Sequence, residues 1–327
     1  MEDAGRGVNA VVLGASGHIG NAIVRELLCR GYQVTATGRR RQTPANLAEL
    51  RVTYLIGDQD VSGQLGRWIQ GHQLVIDASA PYPVSLYDRA MPYAERRTDE
   101  LLNAVLRCDA TLGYIGSFTT LRKRSDGIEE WPARFARQLH PYFAVKEYIE
   151  DTILAAARHG LRATIVNPTM CFGPWDMHER DLCLIPRLLC GEVPGSVNHN
   201  LNVLDVREVA AGLVSAIEAQ WFGKPIIFSG HNISAQGLCR WICEIGGVAP
   251  PSLSAPTSLT AFASYAVEAL AGLAGGSTPI QSLAPILIYQ HEWLPPCAAF
   301  RELGVKVRPL YETLLDSVDW YRSIGYC

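Results

Sequence analysis

The apolar residues of this chain follow two alternating patterns. Short blocks of mostly apolar residues, typical of strands buried on both faces, alternate with longer stretches in which apolar residues recur every three or four positions, as on one helix face. The predicted strands are 8–13, 33–37, 52–56, 74–77, 112–115, 162–166 and 225–229. The predicted helices are 21–30, 95–106, 142–159, one ending at 219, 233–246 and 310–324. Strands that alternate with helices predict an α/β fold with a parallel sheet covered on both faces.

A glycine-rich turn follows the first predicted strand and leads into the first helix. Gly14 permits the tight turn, Gly17 lets the backbone approach a phosphate, and Gly20 lets helix and strand pack closely. The helix N terminus behind such a turn binds the pyrophosphate of a dinucleotide. The predicted cofactor contacts in this turn are Gly14, Ser16, Gly17, His18, Ile19 and Gly20.

The end of the second strand indicates which dinucleotide is bound. Enzymes that bind NAD place a carboxylate there for the ribose hydroxyls, whereas this chain reads Thr37, Gly38, Arg39 and Arg40. Guanidinium groups form charge-assisted, bidentate bonds to a phosphate that a carboxylate would repel. The sequence therefore predicts NADP (NADPH) in preference to NAD, with Arg39 and Arg40 at its 2′-phosphate.

Further cofactor contacts are expected where later strands end, because ligands of a doubly wound sheet lie at the carboxyl ends of its strands. Asp58 follows the third strand, and two roles are open for it: an adenine contact or a helix cap. Small residues after the fourth strand would let the backbone reach the nicotinamide ribose. The residues predicted at these two strand ends are Asp58, Gln59, Ala78, Ser79 and Ala80.

These features predict a doubly wound parallel Rossmann sheet with a smaller, mostly helical C-terminal substrate domain. Past Pro174 the alternation of strands and helices loosens. Residues 1–166 and 200–230 are expected to form the NADP-binding domain, and residues 167–199 and 231–327 the substrate-binding domain.

A serine, a tyrosine and a lysine are the candidate catalytic residues. Tyr142 and Lys146 are four residues apart in a predicted helix, so they lie on one face, one turn apart. An ammonium about 4 Å from a phenolate is worth roughly 4 kcal/mol at an effective dielectric near 20, or about three pKa units. The pair therefore predicts a phenol with a pKa lowered toward neutrality, and Ser117 precedes it in the chain.

With these motifs, the chain resembles the extended short-chain dehydrogenases/reductases of the NAD-dependent epimerase/dehydratase family. The resemblance covers nearly the whole chain, and the Ser117–Tyr142 spacing of 142 − 117 = 25 residues matches the family. The end of the chain is similar to the dihydroflavonol-reductase-like and hydroxysteroid-dehydrogenase-like branch. The resemblance implies that Tyr142 is the acid or base, that Lys146 also bonds the ribose, and that Ser117 orients the substrate oxygen.

The resemblance implies other contacts as well. Pro168 and Thr169 lie in a segment similar to the family's nicotinamide-contacting segment. The family suggests a homodimer packed through the helices that start near Glu95 and Tyr142. The predicted substrate contacts are Pro81, Tyr82, Phe118, Thr119, Cys171, Trp175 and Met177.

Departures from the family narrow the predicted reaction. Phe118, Thr119 and Thr120 stand where dehydratases carry an acidic pair, and the acidic ribose ligand of epimerases is missing. The sequence predicts an NADP-dependent ketoreductase, which reduces a carbonyl or oxidises a secondary alcohol. Two alternatives stay open: a nucleotide-sugar epimerase of the same fold, and a non-catalytic redox sensor that binds NADP.

The substrate is predicted to be small and largely apolar. Between Glu244 and Glu292 the only charged residue is Glu268, so this segment offers no cation for a sugar diphosphate. It is expected to form the wall or lid of an apolar pocket, and a buried helix pair is the plainer alternative.

Composition and charge exclude several classes of protein. The 327 residues are 48% hydrophobic, with a net charge of −3, so no basic surface for nucleic acid is expected. The nine cysteines include no Cys-x-x-Cys pair, which predicts structural thiols, no metal site and a reducing, cytoplasmic location. The sequence contains no run of 18 apolar residues, so no membrane-spanning helix is expected.

Overall fold

The central feature of the fold is a seven-stranded parallel sheet with the strand order β3-β2-β1-β4-β5-β6-β10. Its strands are β1 (Asn9–Leu13), β2 (Gln33–Gly38), β3 (Thr53–Ile56), β4 (Leu74–Asp77), β5 (Thr111–Ile115), β6 (Ala163–Pro168) and β10 (Pro225–Phe228). The computed structural model describes residues 5, 7–79, 90–120, 141–256, 259–260, 263, 266–267, 270 and 293–327. All seven strands lie where the apolar blocks of the sequence predict them, which confirms the predicted Rossmann-like α/β sheet.

Both faces of this sheet are covered by helices. Successive residues of a strand point to opposite faces, and the apolar residues of β1 pack on both. On β1, Ala10 and Val12 pack with one group of helices, whereas Val11 and Leu13 pack with the other. The first group includes α1 (His18–Cys29) and α7 (Val206–Glu218), and the second includes α3 (Gln64–Ile69), α4 (Met91–Arg107) and α5 (Pro141–Arg158). The short helix α2 (Ala45–Ala48) follows β2.

A third apolar cluster lies beyond the central sheet. It joins a small sheet of β7 (Met170–Phe172), β9 (Asn200–Asp205) and β11 (His231–Ser234) to three helices. These helices are α6 (Leu184–Leu189), α8 (Ala235–Gly246) and α10 (Leu310–Ser323). The described residues also include β8 (Gly195–Asn198), which pairs with β12 (Leu253–Pro256), and α9 (Ala298–Glu302).

Several boundaries differ from the sequence-based prediction for local reasons. Helix α1 begins at His18 rather than residue 21, because the glycine turn already closes onto the helix through the Asn21 N–H bond to the Gly17 carbonyl. Helix α8 begins at Ala235 rather than residue 233, since Ser234 ends β11 and its side chain caps the helix by accepting from Gly237 N–H. The division into two domains stays a prediction, and β9 pairs with the small sheet, not the central one.

Candidate active site

Ser117 and Tyr142 meet at the carboxyl ends of the central strands. Ser117 lies just after β5, and Tyr142 and Lys146 lie in the first turns of α5. The Tyr142 hydroxyl donates to Ser117 Oγ at 2.8 Å. The three side chains are 7%, 7% and 6% exposed, respectively. The fold thus brings the three predicted catalytic residues into one buried region.

Thr119 holds the serine in place. A 3₁₀ turn over Phe118–Thr120 follows Ser117, and Thr119 donates to Ser117 Oγ from its hydroxyl at 2.9 Å and from its backbone N–H at 3.3 Å. Because Tyr142 and Thr119 both donate to Ser117 Oγ, the hydroxyl hydrogen of Ser117 can be donated to another acceptor. Phe118 and Thr119 are buried, and their contact with substrate stays a prediction.

The pKa values of the tyrosine and lysine both respond first to burial. Burial raises the pKa of Tyr142, against the lowering effect of its hydrogen bonds with Ser117 and Thr119. Burial lowers the pKa of Lys146 to about 8, with Asp77 raising it and Arg97 lowering it. The direction for Tyr142 is opposite to the one that the Tyr–Lys spacing predicts, because loss of solvent around the phenolate outweighs favourable contacts.

A buried polar network fixes the loop that carries Ser117. Glu150 Oε2 accepts from Thr120 Oγ1 at 2.8 Å and from Asn167 Nδ2 at 2.6 Å. Gly116 leaves room for this network, because a Cβ there would lie 2.0 Å from Asn167 Oδ1. The ends of β5 and β6 and the middle of α5 are thereby tied together beside the candidate catalytic residues.

The glycine turn has the shape that a pyrophosphate requires. Gly14 has a φ of +78°, and a Cβ on it would lie 2.7 Å from the Ala78 carbonyl oxygen. A Cβ on Gly20 would lie 2.1 Å from the Gly14 carbonyl oxygen. No side chain caps the N terminus of α1, so its first amides face the turn where an anion would sit. The residues present therefore fit a dinucleotide.

The end of β2 carries no acidic residue, and a side chain at residue 38 would require Tyr54 to shift. Thr37 is buried, and a Cβ on Gly38 would lie 2.5 Å from the hydroxyl of Tyr54. Arg39 and Arg40, by contrast, are exposed, and the Arg40 carbonyl accepts a hydrogen bond from Tyr54. Arg39 and Arg40 are thus accessible to a group bound outside the end of β2.

The residues predicted after β3 and β4 lie together. Gln59 Nε2 donates to the Ser79 carbonyl at 3.3 Å, and Ser79 Oγ donates to Gln59 Oε1 at 2.9 Å. Asp58 accepts from the backbone N–H of Asp60, and it does not cap α3, whose N-cap residue is Gly63. Of the two roles open for Asp58, the cap of the following helix is therefore wrong.

Trp175 lies beside the glycine turn. Its φ is 73°, Asn46 Nδ2 donates both to its carbonyl and to that of Ser16 at 3.1 Å, and the Arg25 guanidinium lies 4.3 Å from its ring centroid. The Trp175 ring thus packs against the α1 and α2 side of the turn, and its contact with substrate stays a prediction.

The other predicted residues of this region lie on or near β7. Burial raises the pKa of Cys171, so its thiol is not activated as a nucleophile. Thr169 donates to Asn202 Oδ1 at 2.8 Å, Pro168 ends β6, and Met177 is partly exposed. The predicted residues Ala80, Pro81 and Tyr82, and most of the charge-poor segment 252–289, lie outside the described residues.

The sequence does not predict two buried polar contacts of the site. One is the Glu150–Asn167 bond, and the other is an ion pair between Asp77, the last residue of β4, and Arg97 in α4. The sequence does contain a sign of the Asp77–Arg97 ion pair. Arg97 lies four residues before Leu101, so its cation falls on the apolar, buried face of α4. A charge in such a stripe indicates a buried partner.

Comparison with known proteins decides the family. The family model described as "NAD dependent epimerase/dehydratase family" matches residues 10–228, about two thirds of the chain. The chain belongs to this family. The match runs through the seven-stranded sheet and includes the glycine turn, Ser117, Tyr142 and Lys146.

Relatives of this family member carry the names of reductases. A Synechocystis sp. protein named as a dihydroflavonol 4-reductase is 30% identical over 329 residues, covering 96% of this chain and 95% of the relative. Cinnamoyl-CoA reductase 1 of Oryza sativa subsp. japonica is 29% identical over 227 residues, covering 63% of this chain and 67% of the relative.

A solved structure shows the same fold. The crystal structure of a nucleoside-diphosphate-sugar epimerase from Pseudomonas aeruginosa has a TM-score of 0.74 at 24% identity, covering 98% of this chain and 99% of that one. The chain is thus an enzyme of the nicotinamide-dinucleotide-dependent oxidoreductase/epimerase kind. Among the described residues, no helix combines the length and apolar character needed to cross a bilayer.

Proposed function

We propose that this protein is an NADP-dependent short-chain ketoreductase, which reduces a carbonyl compound to a secondary alcohol or catalyses the reverse oxidation. The observation that carries the proposal is the 2.8 Å contact between Tyr142 Oη and Ser117 Oγ, one helical turn from the buried Lys146. Two hydroxyls that converge in a buried site can both donate to one carbonyl oxygen.

Each of the three residues has a distinct task. The nicotinamide, when bound, supplies the hydride for reduction. Tyr142 gives its phenolic proton to the substrate oxygen as that oxygen gains negative charge, and takes the proton back in the reverse direction. Ser117, held by Thr119, donates to the same oxygen and orients it. Lys146 bonds the ribose hydroxyls of the cofactor.

The raised pKa of Tyr142 supports the reductive direction in the free protein. A phenol whose pKa lies above its ordinary value is protonated throughout the neutral range. It therefore enters the reaction as a proton donor, which is the role that carbonyl reduction requires.

The preference for NADP rests on the end of β2. Arg39 and Arg40 are exposed just after β2, where the adenosine ribose is expected, and no carboxylate occupies the end of that strand. A guanidinium binds the 2′-phosphate with charge-assisted hydrogen bonds, each worth about 1.5–3 kcal/mol. NADPH should therefore bind more tightly than NADH.

The substrate is proposed to be a small, largely apolar carbonyl compound. The segment 245–291 contains one carboxylate, Glu268, and no lysine or arginine. Burying an unpaired diphosphate there would cost several kcal/mol per charge, whereas an apolar ketone gains about 25 cal/mol for each Å² that it buries.

Nucleotide-sugar epimerisation is the alternative, and the structural similarity to a nucleoside-diphosphate-sugar epimerase favours it. A non-catalytic redox sensor that binds NADP is the second alternative. Such a sensor has no need of the serine, tyrosine and lysine that converge here.

A substrate panel separates these functions. NADPH oxidation is followed at 340 nm with aromatic and aliphatic ketones and aldehydes, and thermal shifts are measured with the same compounds and with UDP- and GDP-sugars. We expect NADPH-dependent turnover of an apolar carbonyl compound and no stabilisation by nucleotide sugars. Conversion of a nucleotide sugar to its epimer would establish the first alternative, and tight NADPH binding without turnover of any compound would favour the sensor.

A further inference from the structure

A buried ion pair lies beneath the cofactor edge of the sheet. Asp77 is 0% exposed and Arg97 is 2% exposed. Two nitrogens of Arg97 donate to the two carboxylate oxygens at 2.9 and 2.8 Å, a bidentate geometry. Burial alone would raise the pKa of Asp77, but Arg97 holds it below its ordinary value, so both partners are charged. Because desolvation cancels much of the attraction in a buried pair, stability alone is a weak reason for its presence.

Hydrogen bonds connect this pair to the glycine turn. Ser79 donates to Asp77 Oδ1 from its backbone N–H at 3.1 Å, and its Oγ, which donates to Gln59, lies 3.1 Å from the same carboxylate oxygen. Arg97 donates to Ser79 Oγ at 2.9 Å and to Gln59 Oε1 at 3.2 Å. Ser79 packs against the turn itself, since a Cβ on Gly14 would lie 2.8 Å from Ser79 Cβ. The position of Ser79 beside the turn therefore depends on the pair.

The same pair acts on Lys146 through its charges. Burial lowers the pKa of Lys146 to about 8, the negative charge of Asp77 raises it, and the positive charge of Arg97 lowers it by a smaller amount. The other titratable groups that interact within this region include Tyr93 on α4, Tyr114 on β5, and Tyr142 and Glu150 on α5. None of these four groups becomes positively charged, so Arg97 is the cation that lowers the pKa of Lys146 among the described groups.

We propose that Asp77 and Arg97 are positioning residues of the dinucleotide site: the pair fixes Ser79 against the glycine turn and balances the charge around Lys146. This inference rests on the proposed function, in which Lys146 bonds the cofactor ribose. Neither residue contacts the reacting atoms. Because the two charges have opposite effects at Lys146, removing the charge of Asp77 lowers the pH at which Lys146 titrates, and removing that of Arg97 raises it. Removing both lowers it only by the difference, since the effect of Asp77 is the larger.

NADPH is the probe for the test. Its dissociation constant is measured by fluorescence from pH 6 to 10 for the wild type, Asp77→Asn, Arg97→Met and the double variant. In the wild type, NADPH affinity falls as Lys146 loses its proton. We expect the midpoint of this fall to move down in Asp77→Asn and up in Arg97→Met, each by about half a pH unit or more. In the double variant the midpoint lies between those of Asp77→Asn and the wild type, because the effect of Asp77 on Lys146 is larger than that of Arg97.

A conservative variant separates position from charge. Arg97→Lys keeps the positive charge but loses the bidentate fork and the bonds to Ser79 and Gln59. We expect its NADPH affinity to fall about tenfold at pH 7 with the midpoint unchanged. The control is Glu218→Gln, which removes one charge from the Arg30–Glu218 pair at the far end of α1 and should change neither quantity.

Two results would overturn the proposal. One is a midpoint that moves in the same direction, or not at all, in both single variants; the other is wild-type NADPH affinity in Arg97→Lys. If one single variant does not fold, the other still gives the direction of its midpoint shift, and Arg97→Lys still tests whether the hydrogen bonds of Arg97 position Ser79. Failure of the proposed function looks different: no carbonyl compound is turned over, while the NADPH midpoints still shift as expected.

Discussion

At the scale of single residues, the site is governed by burial of ionisable groups. Tyr142 and Lys146 are almost completely removed from water. Burial raises the pKa of Tyr142 and lowers that of Lys146, so it favours the neutral form of each side chain. The phenol is thereby kept as a proton donor, and the ammonium is held at a cost in stability. Burying the charge of Lys146 lowers the folding stability, and burying Tyr142 keeps it protonated for use as an acid.

The cost of burying Lys146 predicts a stabilising substitution. Because the pKa of Lys146 falls from 10.5 to about 8, its charged form is disfavoured in the folded state; the penalty is full below pH 8 and is relieved as pH rises toward 10.5. Lys146→Met should therefore raise the free energy of unfolding at pH 7 by about 1–3 kcal/mol, measured by urea denaturation without cofactor. Lys224→Met, at an exposed position, is the control, and equal effects from the two would refute the argument.

The arginines after β2 predict a change in cofactor preference. Arg39→Ala and Arg40→Ala each remove charge-assisted bonds to a 2′-phosphate, so NADPH affinity should fall about tenfold or more while NADH affinity is unchanged. Titration of both cofactors by fluorescence measures this. Arg51 is an exposed arginine that precedes the N-terminal end of β3, away from the cofactor edge of the sheet. Arg51→Ala should therefore change neither affinity. Equal loss for the two cofactors would mean that Arg39 and Arg40 do not contact the phosphate.

At the scale of elements, long periodic segments were predictable and short ones were not. All seven strands of the central sheet follow from apolar blocks, whereas α2, α6 and β7 contain too few residues to show a period. The meeting of Ser117 with Tyr142 follows from strand order and family resemblance. The Asp77–Arg97 pair and the Glu150 network require knowledge of which helix faces which strand, and that information is set by packing between distant elements.

The junction between α7 and the segment before α10 predicts a pH-dependent stability. Glu208 is 1% exposed; one carboxylate oxygen accepts from Arg308 N–H and the other has no partner among the described residues. Burial raises the pKa of Glu208 to about 7, so the folded state favours its protonated form and stability is lost as pH rises from about 4.5 through 7.

A neutral side chain at this position should remove that dependence. Glu208→Gln is expected to be about 1–2 kcal/mol more stable than the wild type at pH 8 and equally stable at pH 5, by urea denaturation at both values. Glu312→Gln, at an exposed position of α10, serves as the matched control. A Glu208→Gln variant that is less stable at pH 8 would show that the ionised carboxylate stabilises the junction.

At the scale of the whole molecule, the candidate site lies where the strand order reverses. The chain runs from β1 outward to β3 and then crosses back to β4, so the ends of β1 and β4 border a crevice. The glycine turn follows β1, Ser79 follows β4, and Ser117 follows β5. A dinucleotide that lies across these strand ends would bring its nicotinamide to Tyr142. The fold therefore accounts for the convergence of residues from distant parts of the sequence.

Transfer of deuterium from NADPH that carries deuterium at both hydrogens of the nicotinamide C4 tests the central claim most directly. The labelled cofactor is incubated with an accepted carbonyl compound and with wild-type protein or Tyr142→Phe, and the product is analysed by mass spectrometry. The account predicts one deuterium on the carbinol carbon with the wild type, and turnover lower by about 10²-fold or more in Tyr142→Phe with NADPH binding intact. A product without deuterium, or near-normal turnover in Tyr142→Phe, would contradict it.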